Sequence, residues 1–247
     1  MTRNSIGFIL LLCLSFVSVS AAELTFNYAG KMQLVSMPDR SRLSEAYTGF
    51  KFPEDADWSS ALITKNDSSD LLKSVQTNLL QKLQNLAAQW HDNPALVKSV
   101  QQMMTLVDKT PVALRIQAKL DPDWVLLRQE FNPQLEGHYT LYLAPYTFKL
   151  QLAGLAGNQT LPIHEGYLLA DYLADVSYQE GADKDFVYLI TLEGQWHKMP
   201  VALWNRVDSE PSSGSMIFVG FDSSLLPDNM PDLNEQIASY LANRIPQ

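Results

Sequence analysis

The sequence predicts an α+β fold with two small sheets, a helical hairpin and a C-terminal amphipathic helix. Segments in which apolar and polar residues alternate occur near the N-terminus and again after residue 145, and this period of two indicates β-strands. Apolar residues recur every three or four positions from about 67 to 109 and again from 233 onward, which indicates amphipathic helices. The two periods together predict sheets and helices in one protein.

The clearest sheet pattern lies in residues 145–222. It predicts a strand at 147–152, a small-residue turn at 153–158 and a short helix at 168–173. Three further strands are predicted at 186–192, 196–204 and 214–221. A small sheet that grips one helix is the outline of a β-grasp domain. We therefore predict a β-grasp domain over residues 145–222.

Residues 23–144 are predicted to form another β-grasp domain. Two strands joined by the turn Ala29-Gly30-Lys31 open this unit. Near its end, Gly137 precedes a hydrophobic strand, just as Gly214 does in the later unit. We interpret this likeness as a weak internal repeat, and it predicts two units of one fold.

A helical hairpin is predicted as an insertion in the first domain, at about 67–109. The apolar stripe of its first helix contains Leu72, Val75, Leu79, Leu83, Leu86 and Trp90. Asn93 and Pro94 then suit the N-cap and the first position of a second helix. Because the break between the helices is short, we expect them to pack antiparallel.

The first 22 residues are predicted to be a cleaved signal peptide. They carry one charge, Arg3, and the apolar run Ile6–Val17, which is short for a bilayer span and ends in small residues. An uncleaved anchor is the alternative. The single cysteine, Cys13, follows Leu12, whereas a lipoprotein signal needs a small residue there. Cleavage would therefore leave a mature chain without disulfide or thiol chemistry.

The charge of the chain disfavours some partners. The formal net charge is −9, so the counterion release that drives binding to nucleic acid or an anionic membrane has the wrong sign. A local basic pocket is the alternative. No apolar run after the signal approaches the length of a spanning helix, and we predict no membrane span in the mature chain. The hydrophobic fraction of 46% is typical of a globular protein and not of a disordered one.

Residues 223–247 are predicted to form a linker and a C-terminal amphipathic helix. The apolar residues at helical spacing are Leu233, Ile237, Tyr240, Leu241 and Ile245. We expect this helix to dock on the core of its own chain, as most ordered termini do. Contact with a partner through the apolar face is the alternative.

Arg115 is the first candidate ligand-binding residue. Apolar and polar residues alternate from 111 to 120, which predicts a strand with Arg115 on its polar face. If the inserted helices cover that face, the buried guanidinium needs an anionic partner, and its planar donors suit carboxylates and sugar hydroxyls. The alternative is a surface arginine that pairs with a nearby acid.

A second candidate is formed by Trp204, Asn205 and Arg206. An aromatic face with adjacent polar donors can stack on a sugar ring and bind its hydroxyl groups. The alternative is a core tryptophan at the end of a strand.

No catalytic residue, metal site or cofactor is predicted. The four histidines are far apart and have no metal-ligand spacing, and no Gly-x-Ser-x-Gly elbow is present. Asp121 and Asp123 could be the paired catalytic carboxylates of a glycosidase, but Asp-Pro-Asp is a common sequence in turns between strands. Binding is therefore favoured over catalysis.

Several motifs, in order along nearly the whole chain after residue 22, resemble the GfcC family of capsule-biosynthesis proteins. They are Leu120-Asp121-Pro122-Asp123, Gly137-His138-Tyr139-Thr140-Leu141, Gly181-Ala182-Asp183, Pro200-Val201-Ala202-Leu203-Trp204-Asn205-Arg206, Glu210-Pro211-Ser212-Ser213-Gly214-Ser215 and the ending from Asp232-Leu233-Asn234 to Arg244-Ile245-Pro246-Gln247. Asp57-Trp58-Ser59-Ser60 departs from the family, where this loop tends to read Trp-Trp-Pro-Gly.

The resemblance implies a periplasmic protein of two β-grasp domains, arranged like those of Wza-type outer-membrane polysaccharide exporters, whose β-grasp units are of the soluble-ligand-binding type. The function it implies is that of a non-enzymatic accessory protein in capsule or exopolysaccharide assembly or export. Surface polysaccharide or a Wza-type exporter is the expected partner. A polysaccharide-modifying enzyme and a purely structural partner of the exporter are the alternatives.

Overall fold

The computed structural model of the 247-residue chain describes residues 21–247. The predicted signal peptide lies outside the described residues except for Ala21 and Ala22, which begin the first strand. Within residues 21–247, no helix has both the length and the apolar character that crossing a membrane requires.

The described chain contains both helices and strands, the two kinds of element that the two sequence periods predict. The helices are α1 (Leu43–Thr48), α2 (Ser69–Gln89), α3 (Pro94–Lys109), α4 (Pro122–Leu127), α5 (Leu169–Leu173) and α6 (Leu233–Leu241). The strands are β1 (Ala21–Tyr28), β2 (Lys31–Pro38), β3 (Leu62–Lys65), β4 (His138–Leu143), β5 (Lys149–Gly154), β6 (Gln159–Pro162), β7 (Phe186–Ile190), β8 (Trp196–Pro200) and β9 (Met216–Val219).

Two mixed sheets with one topology organise the chain. The first has the strand order β2-β1-β4-β3 and the second the order β6-β5-β9-β7-β8. In each sheet an antiparallel hairpin comes first, and its opening strand pairs in parallel with the last strand of the unit, β1 with β4 and β5 with β9. The structure thus confirms the predicted α+β fold with two β-grasp-like units.

The glycines of the weak internal repeat precede equivalent strands. Gly137 lies directly before β4, and Gly214 lies two residues before β9. Both have positive φ angles, +88° and +74°, which glycine adopts without the steric cost that other residues incur. The repeat therefore marks corresponding points in the two sheets.

The helical hairpin forms as predicted, but it packs on the second sheet. Asn93 caps α3, since its side chain accepts hydrogen bonds from the backbone N–H groups of Ala95 and Leu96. The buried leucines of α2 belong to one apolar core with β5, β7 and β9, and not to the core of the first sheet. An insertion that follows β3 in sequence therefore covers the other unit in space.

The C-terminal helix docks on its own chain. Leu233, Ile237, Tyr240 and Leu241 are buried in the core of the second unit, and Lys82 of α2 donates a hydrogen bond to Gln236 at 2.8 Å. The alternative that this helix binds a partner through its apolar face is wrong, because that face is already covered.

The predicted strand at 111–120 is not a strand. The segment is an extended connection from the hairpin to α4, with single bridges from Val112 to Arg244 and from Ile116 to Ile63. Its alternating pattern is real, but no neighbouring strand runs beside it for more than one residue pair. Sheet hydrogen bonding therefore does not propagate.

The predicted strand at 196–204 is too long. β8 ends at Pro200, and Trp204 lies in the turn that follows. The alternative of Trp204 as a core residue is also wrong, because its side chain is 74% exposed.

Candidate functional site

A cleft of about 600 Å³ lies between the C-terminal end of α3, the β5–β6 hairpin and residues 244–247. Asp57 and Ser60 of the first unit line it from the side. The cleft therefore opens where the hairpin, the second sheet, the C-terminal residues and the first unit come together. Such junctions are common places for ligand sites.

One wall of the cleft is the polar face of β5 and β6. Leu150 and Leu152 of β5 are buried in the core and also border the cleft, and the alternation of the strand turns Lys149 and Gln151 toward the opposite face. Gln151 is paired with Thr160 across the ladder, which places the amide and the hydroxyl side by side. All three polar residues line the cleft.

The facing wall is the last turn of α3. Thr105 and Lys109 are four residues apart and so lie on the same side of the helix. Thr110, the C-cap residue, donates its hydroxyl hydrogen to the carbonyl oxygen of Leu106 at 2.7 Å. Its hydroxyl oxygen can therefore still accept a hydrogen bond from a ligand. The cleft therefore presents hydroxyl, amide and ammonium groups from two walls.

Arg244 is a buried cation that lines the same cleft. Its side chain is held by carbonyl oxygens, since Nη1 donates to Thr191 at 3.3 Å and Nη2 donates to Ile190 and Gly214 at 3.3 and 3.0 Å. Burial, and then repulsion by Arg115, lower the pKa of Arg244 to about 10, so it stays charged at neutral pH. Within residues 21–247 it has no ion-pair partner.

Arg115 lies near Arg244 but does not line the cleft. Its guanidinium donates to the carbonyl oxygens of Ala61 at 2.9 Å and Leu192 at 3.0 Å. Ala61 precedes β3 of the first sheet, and Leu192 follows β7 of the second. The side chain is partly buried, which lowers its pKa, and Arg115 thus links the two units through backbone groups.

Trp204, Asn205 and Arg206 lie on the surface turn after β8, away from the cleft lining. Trp204 donates its indole N–H to Asp185 at 3.4 Å, and Arg206 pairs with Asp208 at 3.2 Å. Both polar atoms of the Asn205 amide are buried without a hydrogen-bond partner among the described residues. These three residues therefore lie next to one another on the surface, and they do not form one site with Arg115.

Asp121, considered above as one of a glycosidase pair, and Asp57, which lines the cleft, both have structural contacts. Asp121 caps α4 by accepting a hydrogen bond from the backbone N–H of Asp123 at 2.8 Å. Asp57, the one acidic side chain in the cleft lining, accepts from the backbone and the hydroxyl of Ser59. In the part of the chain that the structure describes, no group of three His, Cys, Asp or Glu side chains could hold a metal ion.

Sequence reasoning missed most of the cleft. Gln151 and Thr160 could have been found from the polar face of the 147–152 strand, had a second strand been predicted at 159–162. Arg244 carried no such signal, because it lies between the apolar positions Leu241 and Ile245 of the predicted helix and its burial depends on distant carbonyl groups.

Comparisons with known proteins identify the family. The model of the GfcC N-terminal region of capsule biosynthesis matches residues 20–146, and the model of the GfcC C-terminal region matches residues 157–246. A relative described as uncharacterized protein YjbG of Escherichia coli K12 is 31% identical over 222 residues, which cover 88% of this chain and 84% of the relative. The chain therefore belongs to the GfcC family of capsule-biosynthesis proteins.

Proposed function

We propose that the protein is a periplasmic, non-enzymatic accessory factor in capsule or exopolysaccharide assembly or export, and that it holds a segment of the polysaccharide in the cleft. The polar lining of the cleft carries this proposal. Gln151 and Thr160 offer donors and acceptors from one wall, and sugar hydroxyl groups need both. The hydroxyl oxygen of Thr105, whose hydrogen is donated to the carbonyl oxygen of Gln101, adds an acceptor from the facing wall.

The chemistry of the lining favours binding over hydrolysis. Glycosidases use two carboxyl groups on either side of the scissile bond, whereas Asp57 is the one acidic side chain that lines the described cleft. Its carboxylate already accepts two hydrogen bonds from Ser59. A polymer held in a cleft that lacks a second carboxyl group would be retained without being cut.

Domain organisation fits this role. We propose that residues 23–144, with the inserted hairpin at about 67–109, and residues 145–222 are the two domains, and that the hairpin and residues 223–247 complete the cleft walls. The glycan would then contact both domains, so binding would fix their relative arrangement during assembly or export.

Docking on an exporter is a second candidate function, favoured by the exposed apolar residues of one turn. Leu203, Trp204 and Val207 all lie largely in solvent after β8. A Wza-type exporter would bind this turn and leave the cleft free for glycan. Trp204 with Asn205 and Arg206 also remains a candidate sugar-stacking site.

Calorimetric titration with oligosaccharides from the host's own surface polysaccharide tests the proposed function. We expect saturable binding by the wild type and about tenfold weaker binding by the double variant Gln151→Ala/Thr160→Ala, because two hydrogen-bonding groups are lost. Trp204→Ala is the matched surface control and should bind normally. If only Trp204→Ala lost binding, the glycan site would lie at that turn and not in the cleft. If the wild type did not bind at millimolar ligand, glycan binding would be refuted.

The same samples test the enzymatic alternative. After prolonged incubation, the amount of reducing ends and of sugar substituents should equal that of a control without protein. Any increase in reducing ends that depends on the protein would contradict a purely accessory role.

A further inference from the structure

We infer, resting on the proposed function, that the cleft selects acidic saccharides, and that Arg244, Lys149 and Lys109 bind their carboxylate groups. The inference rests on a buried arginine that, within residues 21–247, has no acidic group within ion-pair distance, at a cleft that two further cations line.

Arg244 is the central observation, because its charge is buried and, within residues 21–247, no acidic group lies within ion-pair distance; the favourable effect of Glu193 acts from farther away. The Arg244 side chain is only 8% exposed, and its hydrogen bonds go to three carbonyl oxygens. A guanidinium has five N–H donors, so two remain for a ligand. Burying a cation without an anion is costly, and a ligand carboxylate in the cleft would offset that cost.

Two lysines extend the cationic surface along the cleft. Lys149 lies on the polar face of β5, and Lys109 on the last turn of α3 faces it from the other wall. Lys109 pairs with Asp108 at 3.0 Å, but both side chains are largely exposed, so a ligand can compete for the ammonium group. Lys149 has no acidic partner within ion-pair distance in the described chain.

The local charge contrasts with that of the whole chain. The formal net charge is −9, yet three cationic side chains and one anionic side chain line the cleft. A neutral glycan would gain nothing from this local reversal of sign. Charge-assisted hydrogen bonds to carboxylates are about twice as strong as neutral ones, so the arrangement discriminates in favour of acidic sugars.

A matched pair of ligands tests this inference. The host polysaccharide is cut to short oligomers, and half of the sample has its carboxyl groups reduced to primary alcohols, which keeps size and linkage. We expect the native oligomers to bind about tenfold more tightly than the reduced ones, because the charge-assisted bonds are lost. A higher salt concentration should reduce the difference in affinity between native and reduced oligomers, because salt screens the charges.

Lysine variants locate the effect without disturbing the core. Lys149→Gln should weaken binding of native oligomers several-fold and leave binding of reduced oligomers unchanged. Lys73→Gln is the matched control, because Lys73 is exposed on α2, pairs with Asp70 and does not line the cleft. Arg244→Gln should weaken native binding further, provided that circular dichroism shows a folded protein.

The outcomes separate this inference from the proposed function. Equal affinity for native and reduced oligomers would refute selection of acidic saccharides and leave glycan binding intact. Binding of neither ligand would refute the proposed function itself. Equal effects of Lys149→Gln and Lys73→Gln would show that charge acts at long range and not in the cleft.

Discussion

At the scale of single residues, Arg115 shows how the two units are joined. Its guanidinium donates a hydrogen bond to one carbonyl oxygen from each unit, and Gly194 packs against the Arg115 side chain. A Cβ atom on Gly194 would lie 2.5 Å from Nε of Arg115 and 2.8 Å from the carbonyl oxygen of Ala242. Sequence reasoning identified Arg115 as important, but its partners are backbone groups 54 and 77 residues away, which no local pattern encodes.

Replacing Arg115 should lower stability. Arg115→Ala leaves the carbonyl oxygens of Ala61 and Leu192 without their donor, so we expect the free energy of unfolding to fall by about 2–4 kcal/mol in urea titrations. Arg206→Ala is the control, since its exposed pair with Asp208 should be worth less than about 1 kcal/mol. Similar losses for both variants would contradict a linking role for Arg115.

Two glycines with left-handed backbone provide a second test. Gly194 and Gly157 have φ angles of +81° and +91°, so alanine at either position carries a backbone cost of about 1–2 kcal/mol. Gly194→Ala should lower the free energy of unfolding by about 1–3 kcal/mol more than Gly157→Ala does. The reason is that a Cβ atom at position 194 meets Arg115, whereas no atom lies within 4 Å of a Cβ atom at position 157. Thermal unfolding of the two variants would measure the difference. Equal melting temperatures would show that the space around Gly194 is not restricted.

At the scale of elements, the long helices were predictable and the short strands were not. Leucine spacing identified α2, and Asn93-Pro94 marked the start of α3, because caps and helical periods are local properties. β3 and β6 have four residues each, too few for a period to be recognised. The Asp121-Pro122 pair was interpreted as a turn, although the same residues equally suit the N-terminus of α4.

The packing of the hairpin on the second sheet predicts unequal effects along one helical stripe. Leu83 is fully buried on α2, so Leu83→Ala should lower the free energy of unfolding by about 2–5 kcal/mol. Val75 belongs to the same sequence pattern but is 45% exposed, and Val75→Ala should cost less than about 1 kcal/mol. Urea unfolding measures both. A large loss at Val75 would mean that this end of the helix is covered.

At the scale of the whole molecule, the cleft depends on contacts that the sequence pattern could not place. Periodicity predicts which elements form, and the repeat predicts two similar sheets. The choice of the second sheet as the partner of the hairpin is a matter of shape and of buried area, so the site between α3, β5 and residues 244–247 became visible only in three dimensions. The candidates taken from the sequence consequently lie outside the cleft lining.

Hydrogen–deuterium exchange, measured with and without host oligosaccharide, tests whether polysaccharide binds in this cleft. We expect slower exchange in residues 149–162 and 102–110 when the ligand is present, because both cleft walls become covered. Residues 201–209 should exchange equally in both states. Protection confined to 201–209, or no protection at saturating ligand, would contradict the account.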